Sequence, residues 1–418
     1  MTAATTSLWR NNRFTAFWAG ETVSHFGDRI SELALPLIAV TMLAATPTQV
    51  GLLTAAIWAP NLLSAVVGTW VDRRAHRKRL LVSADLLRAA ALLSLPIAYW
   101  CGLLGLAQLF AVALLAGAGQ VLFSCAYSSF FVTLVDRDQY VDANSKLSTS
   151  RSASFVVGPA AGGFLIQALT APVAIVIDAV SFLVSALFIG RITAAPTPVG
   201  ERSSLAADVG AGLRYVLGHS YLRAALACVT TVNFFGFIAQ ALVILYASRE
   251  LGLPAGLIGL AFGIGATGAV VGAVIAPRLS ARFGVGRMIV VGAVLFPAPT
   301  AAIALADGPH WLIATTIAVA EAVSGASVML FDINLNSVQT AVIADHMRSR
   351  VSGVFGTINY GARPVGAMIG GLLGSGLGLR PTLLIAAAGG MLSCLWLFRS
   401  PIPRLRALSS LSDQPSRR

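Results

Sequence analysis

The chain has 418 residues, of which 56% are hydrophobic and only 11% are charged, and its formal net charge is +12. A soluble protein carries about 25% charged residues, so we exclude a water-soluble globular protein and expect a membrane protein. The positive charge alone would suggest a nucleic-acid partner, but the basic residues lie in short loops between apolar runs, so no nucleic acid is expected.

The apolar runs predict an all-α membrane protein with twelve transmembrane helices. We number these predicted spans 1 to 12 in chain order. They lie at residues 14–42, 49–71, 80–101, 106–131, 147–169, 172–190, 221–247, 255–279, 287–306, 310–334, 349–375 and 381–398. Because the number is even, both termini are expected on the same side of the membrane.

The basic residues indicate which side that is. Of the 29 Lys and Arg residues, 24 fall on the side of the termini or at that end of a span, two on the other side (Arg249 and Arg380), and three deep inside spans (Arg29, Arg88 and Arg363). Basic loops stay in the cytoplasm. We therefore expect a multi-pass protein of the cell inner membrane with both termini cytoplasmic.

Span 1 carries four ionisable residues on one face: Glu21, His25, Asp28 and Glu32. Their spacing places them within an arc of about 60° and along about 16 Å of helix. A charge near the bilayer centre costs at least about 2.5–3.5 kcal/mol, so the stripe predicts an aqueous cavity. We predict that these residues bind and release the coupling proton. The alternative is a structural network of Asp28, Arg29 and Glu32.

The loop after span 2 and the start of span 3 are rich in charges. The residues that we single out are Asp72, Arg73, Arg77, Lys78, Asp85 and Arg88. Basic residues at a cytoplasmic membrane face help to determine topology, which explains part of this cluster without a further role. Asp85 and Arg88 are three residues apart, so they can pair on one helix face.

Span 5 contains the sequence Gly158-Pro159-Ala-Ala-Gly162-Gly163. Small residues let membrane helices approach closely, and proline is tolerated in them. Close helix packing is therefore the first explanation of this motif.

Further charges are predicted inside spans 6, 10 and 11. Asp178 lies in span 6, Glu321 and Asp332 share one face of span 10, and Arg363 lies midway along span 11. An unpaired arginine there would be costly. We predict that Arg363 pairs with Glu321 or Asp332 and that these residues, with Arg29, form an intramembrane charge network. Binding of an anionic substrate group by Arg363 is the alternative.

The chain is predicted to divide into an N-terminal six-helix half at 1–190, a cytoplasmic linker with a short amphipathic helix at 191–218, a C-terminal half at 219–398 and a disordered cytoplasmic tail at 399–418. The two halves match at a spacing of 208 residues. Gly158, Gly162 and Gly163 correspond to Gly366, Gly370 and Gly371. Because six is even, both halves insert with the same orientation, which predicts two parallel repeats around a central cavity.

These motifs resemble those of the major facilitator superfamily. The segment from Gly68 to Lys78 looks like its loop signature, although Ala75 and His76 depart from it, and the motif in span 5 resembles the antiporter signature of drug exporters. Other motifs are similar to the enterobactin-exporter and macrolide-efflux branch: Gly27-Asp28-Arg29, Asp85-Leu-Leu-Arg88, Asp178-Ala-Val-Ser-Phe182 and Gly212-Leu-Arg-Tyr215. Span 4 lacks the membrane arginine of some drug–proton antiporters.

The resemblance implies that both superfamily motifs take part in gating. The loop aspartate, here Asp72, would dock on the cytoplasmic start of span 11 and detach when the protein opens inward. The glycine motif would seal the two halves in the outward-open state. The predicted gating residues are therefore Asp72, Arg73, Arg77, Lys78, Asp85, Arg88, Gly158, Pro159, Gly162 and Gly163.

The resemblance and the charged stripe together predict a secondary active transporter. We expect it to export a small organic molecule, such as a drug, a macrolide or a siderophore-like compound, by proton antiport with alternating access. An uncoupled facilitator or an importer of a small metabolite is the alternative, because a fold does not encode direction. A membrane-embedded enzyme is less favoured, since no catalytic motif is found, and a primary pump is excluded because neither lysine belongs to a P-loop.

The remaining expectations concern binding partners. The four cysteines form no C-x-x-C pair, so neither a metal site nor another cofactor is predicted. We expect a monomer whose partners are the small-molecule substrate, protons and the lipid bilayer. From position alone, the substrate cavity is predicted to include Phe26, Trp58, Gln120, Tyr127, Asn233 and Gln240.

Overall fold

The computed structural model describes residues 8–136, 139–193, 205–344 and 347–406, and these residues form helices and loops without a β-strand. Short 3-10 helices lie at Leu8–Arg10, Ala59–Leu63 and Ile402–Arg404, and a π-helical turn at Ile38–Met42 continues the first α-helix. The α-helices are α1 (Asn12–Leu37), α2 (Pro47–Trp58), α3 (Ser64–Asp72), α4 (Arg77–Trp100), α5 (Leu106–Phe131), α6 (Tyr140–Leu169), α7 (Ala171–Arg191), α8 (Leu205–Gly218), α9 (Ser220–Arg249), α10 (Ala255–Phe283), α11 (Val285–Leu295), α12 (Pro299–Ala304), α13 (His310–Val342), α14 (Arg348–Leu377), α15 (Leu379–Leu392) and α16 (Cys394–Phe398).

The predicted all-α architecture is confirmed. Within the described residues, ten helices are long and apolar enough to cross a membrane. The helices at predicted spans 1 and 11, α1 and α14, do not reach that hydropathy, because α1 carries the charged stripe and α14 combines Arg363 with many glycines. These two helices complete the twelve predicted spans.

Proline interrupts two of the predicted spans. Span 2 is divided into α2 and α3 by the 3-10 turn around Pro60, which lacks a backbone N–H donor. Span 9 is divided into α11 and α12 around Pro297 and Pro299. The hydroxyl of Ser324 on α13 donates to the Phe296 carbonyl at 2.8 Å, so a backbone acceptor at this break has a partner inside the protein.

The internal repeat appears in both helix boundaries and packing. Helices α6 and α14 begin and end 208 residues apart (140 to 348, and 169 to 377), and α1 and α9 begin at the same spacing. Gly162 of α6 lies against Ile30 of α1, as Gly370 of α14 lies against Ile238 of α9. Glycine without a side chain permits the same close crossing in both repeats.

The contacts divide the chain into two compact units, Met1–Ala44 with Ala56–Arg202, and Ala45–Ala55 with Ser203–Arg418. In the first unit α1 packs on α6 and α7, while α4 packs on α5 and α7. In the second unit α9 packs on α14 and α15, and α10 packs on α13. Aromatic side chains fill the interior of the first unit, among them Phe14, Phe17 and Phe130.

Residues 45–55, which the sequence places in the N-terminal half, cluster with the second unit. A glycine crossing explains this, because a Cβ atom on Gly51 would lie only 2.7 Å from the Cα atom of Gly371. Thr48 adds a hydroxyl contact of 2.7 Å with Ser375. The first part of α2 therefore packs closely on α14.

The structure corrects part of the predicted disordered tail. Ile402 and Leu405 are buried, and the backbone N–H groups of Val285 and Gly286 donate to the carbonyls of Arg406 and Leu405. Residues 399–406 are ordered because they bury apolar side chains and provide acceptors for the first N–H groups of α11. Residues 407–418 lie outside the described part of the chain, as does the linker segment 194–204.

Candidate functional site

Helix α1 presents the predicted charged stripe to its neighbours in the first unit. Asn11 starts the helix, because its side-chain oxygen accepts hydrogen bonds from the backbone N–H groups of Arg13 (3.1 Å) and Phe14 (3.3 Å). One turn further into the helix, Phe17 is fully buried, and Glu21 is only 2% exposed. The helix thus carries a carboxyl group into the protein interior.

His25 connects two carboxyl groups of the stripe. Its Nε2 atom lies 3.3 Å from Glu21 Oε2, and its Nδ1 atom lies 3.9 Å from Asp28 Oδ2. Asp28 in turn pairs with Arg88 of α4, whose guanidinium group also lies 3.8 Å from the centre of the Phe182 ring. These side chains form a continuous row from α1 to α4 and α7.

Arg88 therefore has a partner that the sequence analysis did not consider. The sequence allows a pair with Asp85 on the same helix, whereas the structure joins Arg88 to Asp28 on another helix. Asp85 is only 1% exposed, and its carboxylate lies beside the hydroxyl of Ser185 on α7 and near the Arg88 guanidinium group.

Asp178 of α7 is held by two hydroxyl groups and is only 1% exposed. Ser31 of α1 and Ser181 of α7 both donate to its carboxyl group, the latter at 3.2 Å. The close approach depends on Gly27, because a Cβ atom at that position would overlap the Asp178 carboxyl and the Ser181 hydroxyl. Sequence analysis missed Gly27, Ser31 and Ser181 as parts of the site, although Gly27 directly precedes Asp28 in a motif that it quoted.

Glu32 differs from the rest of the stripe. Its side chain is 58% exposed, and its carboxylate accepts a hydrogen bond of 2.6 Å from Arg29. The structure thus brings Glu21, His25 and Asp28 into one row and places Glu32 in a separate pair with Arg29.

The predicted gating glycines of α6 lie directly on this part of α1. A Cβ atom on Gly158 would overlap the side-chain stem of Arg29, and one on Gly162 would lie 3.2 Å from the Cα atom of Ile30. Pro159 lies inside α6 between them, and Gly163 is buried. The glycine motif therefore sets how closely α6 approaches α1.

The loop signature surrounds the ends of α3, α4 and α7. The Lys78 ammonium donates to the carbonyls of Gly190 (3.2 Å) and Ile192 (3.0 Å) at the C-terminal end of α7. This position is favourable for a cation, because the C-terminal end of a helix dipole is negative. Arg77 is buried, whereas Arg73 is exposed. The side chain of Asp72 lies outside the described part, so its docking stays a prediction.

The second unit contains a separate polar cluster between α9 and α14. The Nε atom of Arg363 donates to Asn233 at 3.1 Å, and the guanidinium group lies 4.7 Å from the centre of the Tyr360 ring and 5.1 Å from that of Phe237. Asp332 of α13 interacts electrostatically with Arg363. Sequence analysis missed both aromatic residues, although their spacings to Arg363 and Asn233 (i, i+3 and i, i+4) place each pair on one helix face.

The other predicted residues are distributed over both units. Glu321 of α13 packs against Gly265, where a Cβ atom would overlap the Glu321 side chain. Tyr127 is partly buried and stacks on Phe131, with ring centres 6.1 Å apart, so it packs against the core of the first unit. Gln120 and Gln240 are exposed, and Phe26 and Trp58 are partly buried. In the residues that the structure describes, no group of three or more His, Cys, Asp or Glu side chains is arranged to hold a metal ion.

Comparison with known proteins gives a consistent family relationship. Residues 3–417 match the model of the family described as transmembrane secretion effector. The chain is 27% identical over 396 residues to the multidrug efflux pump Tap of Mycobacterium tuberculosis, which covers 91% of each chain. It is 25% identical over 394 residues, 90% of this chain and 91% of the other, to the uncharacterised transporter YfiS of Bacillus subtilis.

A solved structure shows the same fold at low sequence identity. The nucleoside transporter NupG superposes with a TM-score of 0.72 and 12% identity over 97% of this chain and all of that chain. Together with the family match over nearly the whole chain, this likeness identifies the architecture as that of the major facilitator superfamily. The chain therefore belongs to the transmembrane secretion effector family of that superfamily, and it is a multi-pass membrane transporter rather than an enzyme.

Proposed function

We propose that this protein exports a small organic molecule from the cell by proton antiport with alternating access. The resemblance to a multidrug efflux pump over 91% of the chain supports export of a drug-like compound. Macrolides and siderophore-like compounds are included in the proposal. The Lys and Arg asymmetry of the loops supports cytoplasmic termini in the cell inner membrane.

The observation that carries the coupling proposal is an excess of buried carboxyl groups in the first unit. Three buried carboxyl groups, those of Glu21, Asp85 and Asp178, and the partly exposed carboxyl group of Asp28 lie near one guanidinium group and one imidazole. Burying unbalanced negative charges is costly, whereas a protonated carboxyl group is neutral. The cluster therefore favours a state in which it holds protons, and losing them would change its charge during transport.

The partners of each carboxyl group suggest which group binds the exchangeable proton. Asp28 forms an ion pair with Arg88. Asp178 has only neutral hydroxyl partners by hydrogen bonding, so it is the better place for an exchangeable proton. His25 can carry a proton between Glu21 and Asp28, because its two ring nitrogens face the two carboxyl groups. The whole predicted stripe, including Glu32, remains within the proposal.

Proton coupling also requires that a change in the charge of the cluster moves a helix. The packing of the glycine motif of α6 on α1 supports such a connection. Gly158 and Gly162 pack on Arg29 and Ile30, directly after Asp28 in α1. A change in the charge of the cluster would alter the forces on α1 at the point where α6 crosses it. We propose that this crossing, together with Asp72 and the loop signature, changes between the states of the transport cycle.

On the substrate side, Arg363 and its two aromatic neighbours support a role in binding. Arginine next to aromatic rings, here the partly buried Tyr360 and the buried Phe237, suits planar and polar organic molecules. Phe26, Trp58, Gln120 and Gln240 remain proposed contributors from their positions. Asn233 is already joined to Arg363.

Export can be tested in a bacterial strain that lacks its own exporters. Expression should lower the accumulation of at least one compound in a panel of drugs, macrolides and siderophores, and a protonophore should restore accumulation. Asp307→Asn, an exposed aspartate outside the cluster, is a matched control that should transport like the wild type. Uptake that is raised by expression would identify an importer, and export unaffected by the protonophore would identify an uncoupled facilitator.

A further inference from the structure

We propose that α8 is a membrane-surface helix that binds anionic phospholipid headgroups. Helix α8 links the two repeats and belongs to the second unit. Its C-terminal residue Gly218 is separated from the start of the membrane-spanning helix α9 by His219 alone. This connection keeps the end of α8 at the level where α9 enters the membrane.

One face of α8 is fixed to the rest of the second unit. Gly212 packs on the Arg350 carbonyl of α14, from which a Cβ atom would be 2.7 Å away. The Tyr215 hydroxyl accepts a hydrogen bond from the backbone N–H of Ala344 at 3.2 Å and donates to the Val342 carbonyl at 3.4 Å. Val216 is fully buried. The helix therefore has a fixed rotation about its axis.

That rotation leaves a partly exposed apolar stripe on α8. Val209, Leu213 and Leu217 are 39%, 37% and 48% exposed. They follow each other at four-residue intervals and cover an arc of about 80° beside the buried face. A helix that presents such a stripe at a membrane surface places it at the boundary between headgroups and acyl chains.

Exposed arginines accompany the stripe. Arg214 lies on α8 itself, and Arg223 donates to the Leu217 carbonyl at 3.3 Å. Arg350 is exposed next to Gly212. An arginine near an anionic membrane surface contributes about fivefold to the binding constant. This combination of apolar side chains and positive charge fits anionic lipid better than a neutral lipid.

The proposal can be tested by fluorescence on the reconstituted full-length protein. Leu213→Cys is labelled with an environment-sensitive probe in a background in which the exposed Cys101 is replaced by serine. Ala211→Cys is the matched control, because position 211 lies about 160° around the helix from position 213. The vesicles contain phosphatidylcholine alone or with one quarter phosphatidylglycerol, and spin-labelled lipids serve as quenchers.

We expect strong quenching at position 213 and little at 211, with quenching at 213 increased by phosphatidylglycerol and reduced again by high salt. Arg214→Gln combined with Arg223→Gln should remove the effect of phosphatidylglycerol, whereas Arg282→Gln, an exposed arginine on α10, should leave it unchanged. Equal quenching at both positions would overturn the membrane-surface placement. Strong quenching at 213 that is the same in both lipid mixtures would overturn the binding of anionic headgroups.

Discussion

Replacing Arg88 by methionine should destabilise the first unit strongly, because it leaves the Asp28 carboxylate without its cation. Both side chains lie largely inside the protein, with 9% and 19% exposure. Removing one partner of a buried ion pair costs about 3–5 kcal/mol, and the loss of the contact with the Phe182 ring adds about 1 kcal/mol. Because Asp28 is partly hydrated, we expect a total of about 4 kcal/mol.

This loss can be measured as thermal unfolding of the purified protein in detergent. For a unit of this size, a loss of about 4 kcal/mol lowers the midpoint by roughly 10 °C. The double variant Arg88→Met with Asp28→Asn should recover most of the loss, since removing both charges leaves no unpaired ion. A double variant no more stable than Arg88→Met would refute the pairing, because the two substitutions would then act independently.

Three further predictions concern other parts of the molecule. Gly162→Leu should separate α6 from α1, lower the free energy of unfolding by about 1–3 kcal/mol and abolish transport. Gly376→Leu, at a position in open space on α14, should be tolerated. Equal transport by the two variants would contradict this prediction. Burial lowers the pKa of His219 below its ordinary value of 6.5. As the pH falls through 6.5, His219 is therefore protonated in the unfolded chain before it is protonated in the folded protein, and the free energy of unfolding should decrease. His219→Phe should remove that part of the pH dependence of the unfolding midpoint, and an unchanged slope would count against it. Arg363→Ala should lower transport and stability, and adding Asp332→Asn should restore stability; if it does not, Arg363 is not held by Asp332.

The positions of the membrane helices could be predicted from sequence because they depend on local apolar runs, whereas the polar start of α6 (Tyr140–Leu169) and the polar end of α13 (His310–Val342) extend beyond the predicted spans. The spacing of 208 residues also predicted the packing of Gly162 and Gly370, since a duplicated unit repeats its helix crossings. Helix periodicity alone placed Glu21, His25 and Asp28 on one face. In each of these cases the relevant distances lie within one helix or one repeat.

The partners across helices could not be predicted. Arg88 lies 60 residues from Asp28, and Asp178 lies 147 residues from Ser31, so periodicity carries no information about these pairs. The sequence allowed a pair of Asp85 and Arg88 because the two share one helix face, yet tertiary packing joins Arg88 to Asp28. The ordered segment 399–406 was missed because its few apolar residues become stabilising only against α11.

The central claim, that buried carboxyl groups couple export to protons, is tested most directly in proteoliposomes loaded with an exported compound identified by the panel. Asp178→Asn should abolish accumulation driven by an imposed pH difference and leave exchange of labelled for unlabelled compound largely intact, because exchange needs the alternating motion but no net proton movement. Asp28→Asn and Glu32→Gln, measured in the same assay, show whether proton coupling also depends on the charged stripe of α1. The control variant Asp307→Asn should transport like the wild type. Accumulation against a gradient at the wild-type rate by the Asp178, Asp28 and Glu32 variants alike would contradict the account.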